Sequence, residues 1–411
     1  MGNGPIEGLH TDHGLLYVVS GGDFYSVTSG ATATLRGVVG SSTEIDMDSS
    51  PASVVIVSPP LAYHWTPSTF AQITDADFTA RGAGDVEFVD GYFMFREPSS
   101  ARFFSSDLNS ATAYDALQFA TAEGSSDDLV GMKVDHRQVF LAGEKSCELW
   151  ENTGASGFPF ERVVNGFIEL GCINGKSIAK LDNSIFFVAN DYTVRRLDGL
   201  TPARVSTHAI EQWLKDSVTI ASLRGSTYTQ DGHVFYMLRA PEGCFVYDVG
   251  TQLWHERQSY GSSTWNWGNP VLFGGMVLVG STTSNVIAKL DPAVYTEVGP
   301  TTLRMEWTYQ PVYADAARAY HERLDMLVER GVGNTVDPGS DPEIMLDTSD
   351  DGGRTWLSLP NRKIGKIGDY KQRCSWSGLG SSDARTYRAA VSDPVKVTVT
   401  DTQLRVRGGR L

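Results

Sequence analysis

Apolar residues along this chain come in short runs, each broken by Gly, Pro, Asn or Asp and answered by a second run. Residues 15–19 are apolar, Gly21, Gly22 and Asp23 make a turn, and 24–27 form the second run. The unit recurs at 54–57 and 61–65 around Pro59 and Pro60, at 92–95 and 102–104, and at 139–142 and 147–150 around Gly143. Further copies lie at 185–188 and 192–197, at 234–238 and 245–249, and at 271–279 followed by 286–290. Runs this short, bounded by turn formers, predict strands rather than helices.

Centred on Tyr17, Ile56, Phe93, Phe140, Phe186, Phe235 and Val277, the seven hairpins stand 37 to 49 residues apart. Four-stranded propeller blades recur at about 40 to 50 residues. A lone sheet of that size leaves both faces wet, whereas radial stacking lets neighbouring faces cover one another. The pattern therefore predicts a β-propeller of six or seven blades over residues 1–299. Asp248 before a turn and Trp254 after it add a kelch-like blade feature. Two unrelated β-sandwiches are the alternative, because alternating strands occur in any all-β protein.

One helix interrupts the strands. Ile210, Trp213 and Leu214 share a face at i, i+3 and i+4, Thr207 stands where it can cap, and the helix is expected on the propeller's rim. Composition changes at Gly299 and Pro300. Beyond them 303–313, 323–329, 343–348, 372–376, 386–391 and 395–406 alternate as strands, predicting a C-terminal β-sandwich domain over 300–411.

The chain has 411 residues and a formal charge of −15, with 42 glycines and only 20% charged residues. An acidic chain is poorly suited to gripping phosphate backbones, which takes clustered Lys and Arg. No apolar run approaches the roughly 18 residues of a spanning helix, and the first residues lack a signal peptide's charged-then-apolar pattern. Cys147, Cys172, Cys244 and Cys374 are scattered, with no C-x-x-C pair, and read as reduced thiols. Charge is uneven: residues 41–135 hold 15 acidic and 4 basic side chains, and 362–410 hold 4 acidic and 11 basic. An acidic early propeller and a basic tail can attract across a subunit boundary, though both also suit solvated surfaces.

Catalytic signals are weak. Ser349, Asp351, Gly353 and Trp356 fit the S-x-D-x-G-x-T-W Asp box, a structural turn in which Ser and Asp bind backbone amides and Trp anchors the turn in the core. Phe95, Arg96, Glu97 and Pro98 approach the F-R-I-P motif whose arginine binds a sialic carboxylate, but Glu97 opposes an anion. The run from Gly171 to Ser177 is one residue short of a phosphate loop and leads into a strand pair. His255 and His321 read as polar strand-end residues, and the eight histidines show no metal-ligand spacing. No catalytic, cofactor-binding or metal-binding residue is assigned, no cofactor is expected, and the chain reads as a non-enzyme.

The ordered segments together resemble the packaged-DNA stabilization proteins of short-tailed bacteriophages, the tail hub or nozzle family. They are 128–143 leading into Glu148, Trp150, Thr153, Gly154 and Ala155, then Arg204, Val205 and Ser206 before the helix, 233–238 and 245–248. Segments 344–352, 362–367 and 394–406 continue the match. Family members usually carry several dozen residues before the first blade, where this chain has ten, which bears on blade closure and adaptor contacts. The resemblance implies a virion protein of the phage tail, made in the host cytoplasm. Its partners would be five further copies in a homo-hexameric ring, the portal-adaptor (head-to-tail connector) protein, and tail needle or tail fibre/spike proteins. The ring would extend the DNA-ejection channel and retain the packaged genome, with DNA passing unbound and no membrane anchor. A negative lumen would let the duplex slide, and Asp46, Asp48, Asp127 and Asp128, on predicted loops, are the lumen-facing candidates. A carbohydrate-active, sialidase-like propeller and a generic propeller scaffold remain the alternatives.

Overall fold

The structure, a computed structural model, describes residues 2–125, 127–299, 301–313 and 318–408. It divides into two compact units, Met1–Leu290 and Asp291–Leu411. Pro300, where composition changes, lies outside the described residues, as do Met1 and Arg410.

In the first unit seven antiparallel sheets follow one another, six of four strands in chain order and a seventh of three. Their first strands are Ile6–Asp12, Asp46–Ser49, Val86–Val89, Leu129–Asp135, Ala179–Leu181, Arg224–Gln230 and Trp267–Phe273. Each lies beside the first strand of the next sheet, and the seventh lies beside the first. That cyclic order is a propeller with these seven strands innermost. Each predicted hairpin is formed by the second and third strands of a sheet, such as Leu15–Ser20 with Asp23–Val27 and His233–Ala240 with Gly243–Asp248. In the seventh, 271–273 belongs to the inner strand, and the hairpin is Met276–Ser281 with Ile287–Lys289.

Second strands such as Val54–Ser58 and Ser184–Val188 are buried at every residue, because neighbouring sheets cover both their faces. The core is correspondingly divided among the interfaces. Tyr17 and Phe24 meet Ile56 and Trp65; Val55 and Val57 meet Phe93 and Phe95; Met94 and Phe103 meet Val139 and Leu141. Phe140 stacks near Phe187 at 5.5 Å and Phe186 near Tyr236 at 5.2 Å. Met237 and Cys244 meet Trp265 and Val279, and Ile6, Leu16 and Val18 meet Val271 and Leu278.

The last interface closes the ring without a shared strand. A Cβ on Gly280 would stand 2.4 Å from Ile6 Cγ2, so glycine lets the first and seventh sheets approach. Asn269 Nδ2 donates to the Glu7 carbonyl at 3.2 Å, and Asn285 Nδ2 to the Gly2 carbonyl at 2.9 Å. Elsewhere Gly175 has the same purpose: a Cβ there would fall 1.9 Å from the Val130 carbonyl oxygen of the preceding sheet.

The helix His208–Asp216 forms as expected. Ile210 and Leu214 are buried in the core shared by the fifth and sixth sheets, and Trp213 meets Phe245 at 4.7 Å. Thr207 makes no side-chain cap bond. Ser206 Oγ instead donates to Glu211 at 2.6 Å while accepting from the Val194 amide, tying the helix start to the fifth sheet. A second, short helix, Ala76–Thr79, is capped by Asp75 and buries Phe78.

The second unit is a two-sheet β-sandwich. One sheet orders Met305–Thr308, Ala384–Val391, Glu343–Ser349 and Leu357–Lys363, with Val312–Tyr313 also pairing Ala384–Val391. The other is built on Ala319–Val328, which pairs Cys374–Ser377, Ser381–Ser382 and Val399–Gly408. Leu324, Met326, Ile344, Leu346, Trp376 and Tyr387 fill the space between them. Leu357–Lys363, absent from the expected strands, is a largely exposed sheet edge that tolerates Pro360.

The close approach at Gly175 is testable. Gly175→Ala should cost about 1–3 kcal/mol through overpacking, read by chemical denaturation. Gly30→Ala, whose Cβ would meet nothing closer than 3.8 Å, should shift stability by under about 0.5 kcal/mol. Equal effects would show that the sheets do not meet at Gly175.

Candidate functional site

Seven inner strands standing side by side face a problem that the outer strands do not. Their backbone groups on the axial side have no ladder partner, and a buried unpaired amide or carbonyl is costly. Side chains from the adjacent sheet solve it. Asp46 and Asp48, two residues apart on one strand face, accept from the amides of Val86 at 3.2 Å and Phe88 at 2.6 Å. Glu87 accepts from the Val134 amide at 3.0 Å, and Thr227 Oγ1 donates to the Lys180 carbonyl at 3.1 Å. Tyr236 hydroxyl donates to the Ser177 carbonyl at 2.7 Å. The carboxylate bonds to Val86, Phe88 and Val134 join residues 40 to 47 apart, the propeller's own period.

These carboxylates sit in an ionic cluster at the axis. Asp85 accepts from Arg96 Nε at 2.6 Å and Lys176 Nζ at 2.8 Å, and Lys176 lies 3.9 Å from Asp46. Lys133 donates to Glu87. Burial opposes charge on Asp85, yet Lys176 and Arg96 hold its pKa down to about 2. Burial drives Glu87 the other way, up to about 8, with Asp48 and Asp46 adding repulsion against Lys133's attraction. Burial also raises Asp48 and lowers His10. The balance is simple. Asp46, Asp48, Asp85 and Glu87 face Lys133, Lys176 and Arg96, and a proton on Glu87 removes the surplus negative charge from a poorly solvated place.

Above the cluster the axis opens into a cavity of 940 Å³, lined by Glu44, Asp46, Lys176, Lys180, Arg224 and Arg239 among others. Of the four aspartates singled out from sequence, Asp46 lines this cavity and Asp48, partly buried, does not. Both lie on the strand Asp46–Ser49, not on loops as expected. Asp127 and Asp128 do lie on a loop: Asp127 accepts from the Lys145 and Ser146 amides at 2.6 and 3.2 Å, and Asp128 is exposed. The structure thus brings Asp46 and Asp48 together and leaves the other two apart. Asp85, Glu87, Lys133 and Lys176 were missed; charged residues recurring at the blade period were the available signal.

Other motifs resolve as structure. Arg96 is engaged by Asp85 and the Leu129 carbonyl at 3.1 Å, so its guanidinium is not free for a sialic carboxylate. Lys176, in the near-phosphate-loop run, points at Asp85 from the turn Gly175–Ser177. In the Asp box, Ser349 Oγ donates to Asp351 at 2.8 Å and accepts from the Gly353 amide. Asp351 accepts from the Thr355 hydroxyl at 2.6 Å and from the Thr355 and Arg354 amides, and these bonds, the hydroxyl's foremost, hold its carboxyl well below the usual range. Trp356 does not enter the core: it is half-buried, with the Arg388 guanidinium 4.1 Å from its ring centre. His321 is the third residue of the strand Ala319–Val328 and buried, 3.0 Å from Ser382 Oγ and 2.9 Å from the Tyr387 hydroxyl. Burial, then Arg257, lowers His255 to about 4, keeping it neutral. All four cysteines are free and buried.

A family model described as the Bacteriophage P22 Gp10 beta-propeller matches residues 3–295, and one described as the Gp10 beta-sandwich matches 305–407. The chain belongs to the bacteriophage P22 Gp10 family. It is therefore a phage structural protein of propeller and sandwich domains, as the ordered segments of its sequence indicate. No curated protein matches this Gp10 family member in sequence. Among solved structures, it is similar to the extracellular domain of a putative one-component system, BT4673 from B. thetaiotaomicron, at 10% identity and TM-score 0.49, covering 99% of this chain and 57% of that one. A computationally designed protein, Ika8, aligns at 11% identity and TM-score 0.42, covering 70% of this chain and 97% of its own. YCF48 bound to D1 peptide aligns at 10% identity and TM-score 0.44, covering 70% and 93%.

The axial proton has a measurable signature in this Gp10 protein. Glu87 is raised in the fold, so its contribution to stability is full below its ordinary pKa of 4.5 and declines as pH climbs to about 8. Each unit of separation is worth about 1.4 kcal/mol. Glu87→Gln should lower stability at pH 5 yet flatten the fall between pH 5 and pH 8 by more than about 1 kcal/mol, measured by urea denaturation. Parallel pH profiles would show that Glu87 does not carry the proton.

Proposed function

We propose that this Gp10 family member is a tail hub, or nozzle. Six copies form a ring below the portal and its adaptor, extend the DNA-ejection channel and retain the packaged genome. The observation that carries the reading is the family match in order, propeller then sandwich, across residues 3–295 and 305–407. Two physical features support it. The propeller buries second strands between sheets on both faces and bonds its inner strands across sheets, which suits a rigid wall element. Its charge is the second. Residues 41–135 carry 15 acidic side chains against 4 basic ones, a balance that repels phosphate and favours a sliding duplex.

Asp46 and Asp48 are committed to bonds between sheets. The repulsive lining of the ring is thus assigned to exposed acids such as Asp128, with the tail needle and fibre or spike proteins as distal partners. Among the described residues, no helix is long and apolar enough to cross a membrane.

Portal–adaptor complexes mixed with the purified chain and resolved by sedimentation test the proposal. The expected result is co-sedimentation at six copies per complex. A chain that stays free, or that turns over a fluorogenic sialoside, would overturn it. If the acidic propeller attracts the basic 362–410 segment of a neighbouring copy, raising salt from about 0.05 to about 0.5 M should release subunits, followed by light scattering. A salt-indifferent assembly would assign cohesion to apolar contacts instead.

A further inference from the structure

The axial cavity has a second character at its sixth and seventh sheets. Arg224 and Arg239 are directly paired across the inner two strands of the sixth sheet, a like-charge juxtaposition that is unfavourable in itself. Both line the 940 Å³ cavity. Nearby, Arg257 donates to the Tyr228 hydroxyl at 2.7 Å and lies 4.8 Å from the Trp265 ring centre. The strands of the sixth sheet and the residue that follows them thus carry three arginines. Among the described residues none of them forms an ion pair with a carboxylate; Glu44 is the carboxylate that Arg224 feels, at a distance. Glu7, also lining the cavity, turns away to accept from the Gly22 amide at 2.9 Å.

The two cavity arginines differ in how they are used. Arg224 is spent on the backbone, donating to the carbonyls of Thr43, Ala221 and Leu223. Arg239 donates to no protein acceptor among the described residues, although burial and Arg224 both disfavour its charge. Its guanidinium lies over Gly268, where a Cβ would stand 3.2 Å from Nε, so the seventh sheet makes room for it. The neighbouring hydroxyls of Ser263 and Thr264 donate to the carbonyls of Pro241 and Ala240 and fix the loop opposite. A planar fork of donors with no partner, beside a second fixed positive charge and open to a cavity, matches the recognition geometry of phosphate and carboxylate groups.

We propose that this corner of the axial cavity is an oxyanion-binding site. Arg239 supplies the hydrogen bonds, Arg224 adds field, and the ligand is a small molecule presenting a phosphate or carboxylate group. Bound oxyanion relieves the repulsion between the paired arginines, so occupancy stabilises the propeller.

Thermal unfolding of the full chain in inorganic phosphate, and separately in acetate, against chloride at matched ionic strength tests this. The expected result is a melting temperature that rises with phosphate or acetate, the larger response identifying the preferred group. Arg239→Met keeps the aliphatic stem and should weaken the apparent affinity at least tenfold, while Arg137→Met, at an exposed site paired with Asp90, should leave it unchanged. No anion-specific rise in the unmodified chain, or the same rise in Arg239→Met, would overturn the site. Should Arg239→Met fail to fold, phosphorus NMR of inorganic phosphate with the unmodified chain decides. Line broadening reversed by excess acetate supports the site, and unbroadened lines reject it.

Discussion

Closure of seven sheets around an axis requires their inner strands to satisfy backbone groups without a ladder. Apolar residues cannot do that, so the axis is polar and charged. Asp46, Asp48 and Glu87 reach across to amides of the following sheet, while Lys176 and Arg96 pair with Asp85 and Lys133 with Glu87. The apolar energy of folding lies outside this ring, in the layers where Tyr17 meets Trp65 or Phe186 meets Tyr236. The two belong together. Stacking supplies the stabilisation, and the polar axis makes the stacking angle sustainable by leaving few buried donors unpaired. Ile6, Gly280, Asn269 and Asn285 show that the first and last sheets join on the same terms, by side-chain contact and not by exchange of a strand.

This division explains what the sequence disclosed. Second strands such as Val54–Ser58 and Ser184–Val188 are covered on both sides, so they are written as apolar runs, and their spacing revealed the repeat. Two of the inner strands are written in the opposite alphabet. Asp46–Ser49 contains two aspartates and a serine, and Arg224–Gln230 is mostly polar, so hydrophobic periodicity passes over them. The axial cluster was half legible: Asp46 and Asp48 stood out as charges, but their partners 40 to 47 residues away become neighbours only once the ring closes. Thr207 and Trp356 show the limit of local motifs. The residue types were right, but neighbours determined their roles, Ser206 bonding Glu211 at the helix start and Arg388 covering the Trp356 ring. Leu357–Lys363 escaped because a sheet edge is exposed and admits proline.

A wheel built this way is suited to a passive role. Its titratable interior is used to hold sheets together, its cysteines are buried with thiols such as Cys172 pushed up to about 12, and its one F-R motif arginine is spent on Asp85. The chemistry of the fold is thus directed inward, while the charge outside the axial cluster is uneven, acidic over residues 41–135 and basic over 362–410. Membership of the P22 Gp10 family gives that construction its setting in a phage particle.

Electron cryomicroscopy of the virion's tail tests the account most directly, since a single map reports both the circular stacking and its place. Density for wheels of seven sheets, each continuous between first and seventh, encircling the path of the genome beneath the portal, is the predicted result. Wheels split between those two sheets, or subunits sited away from that path, would contradict it.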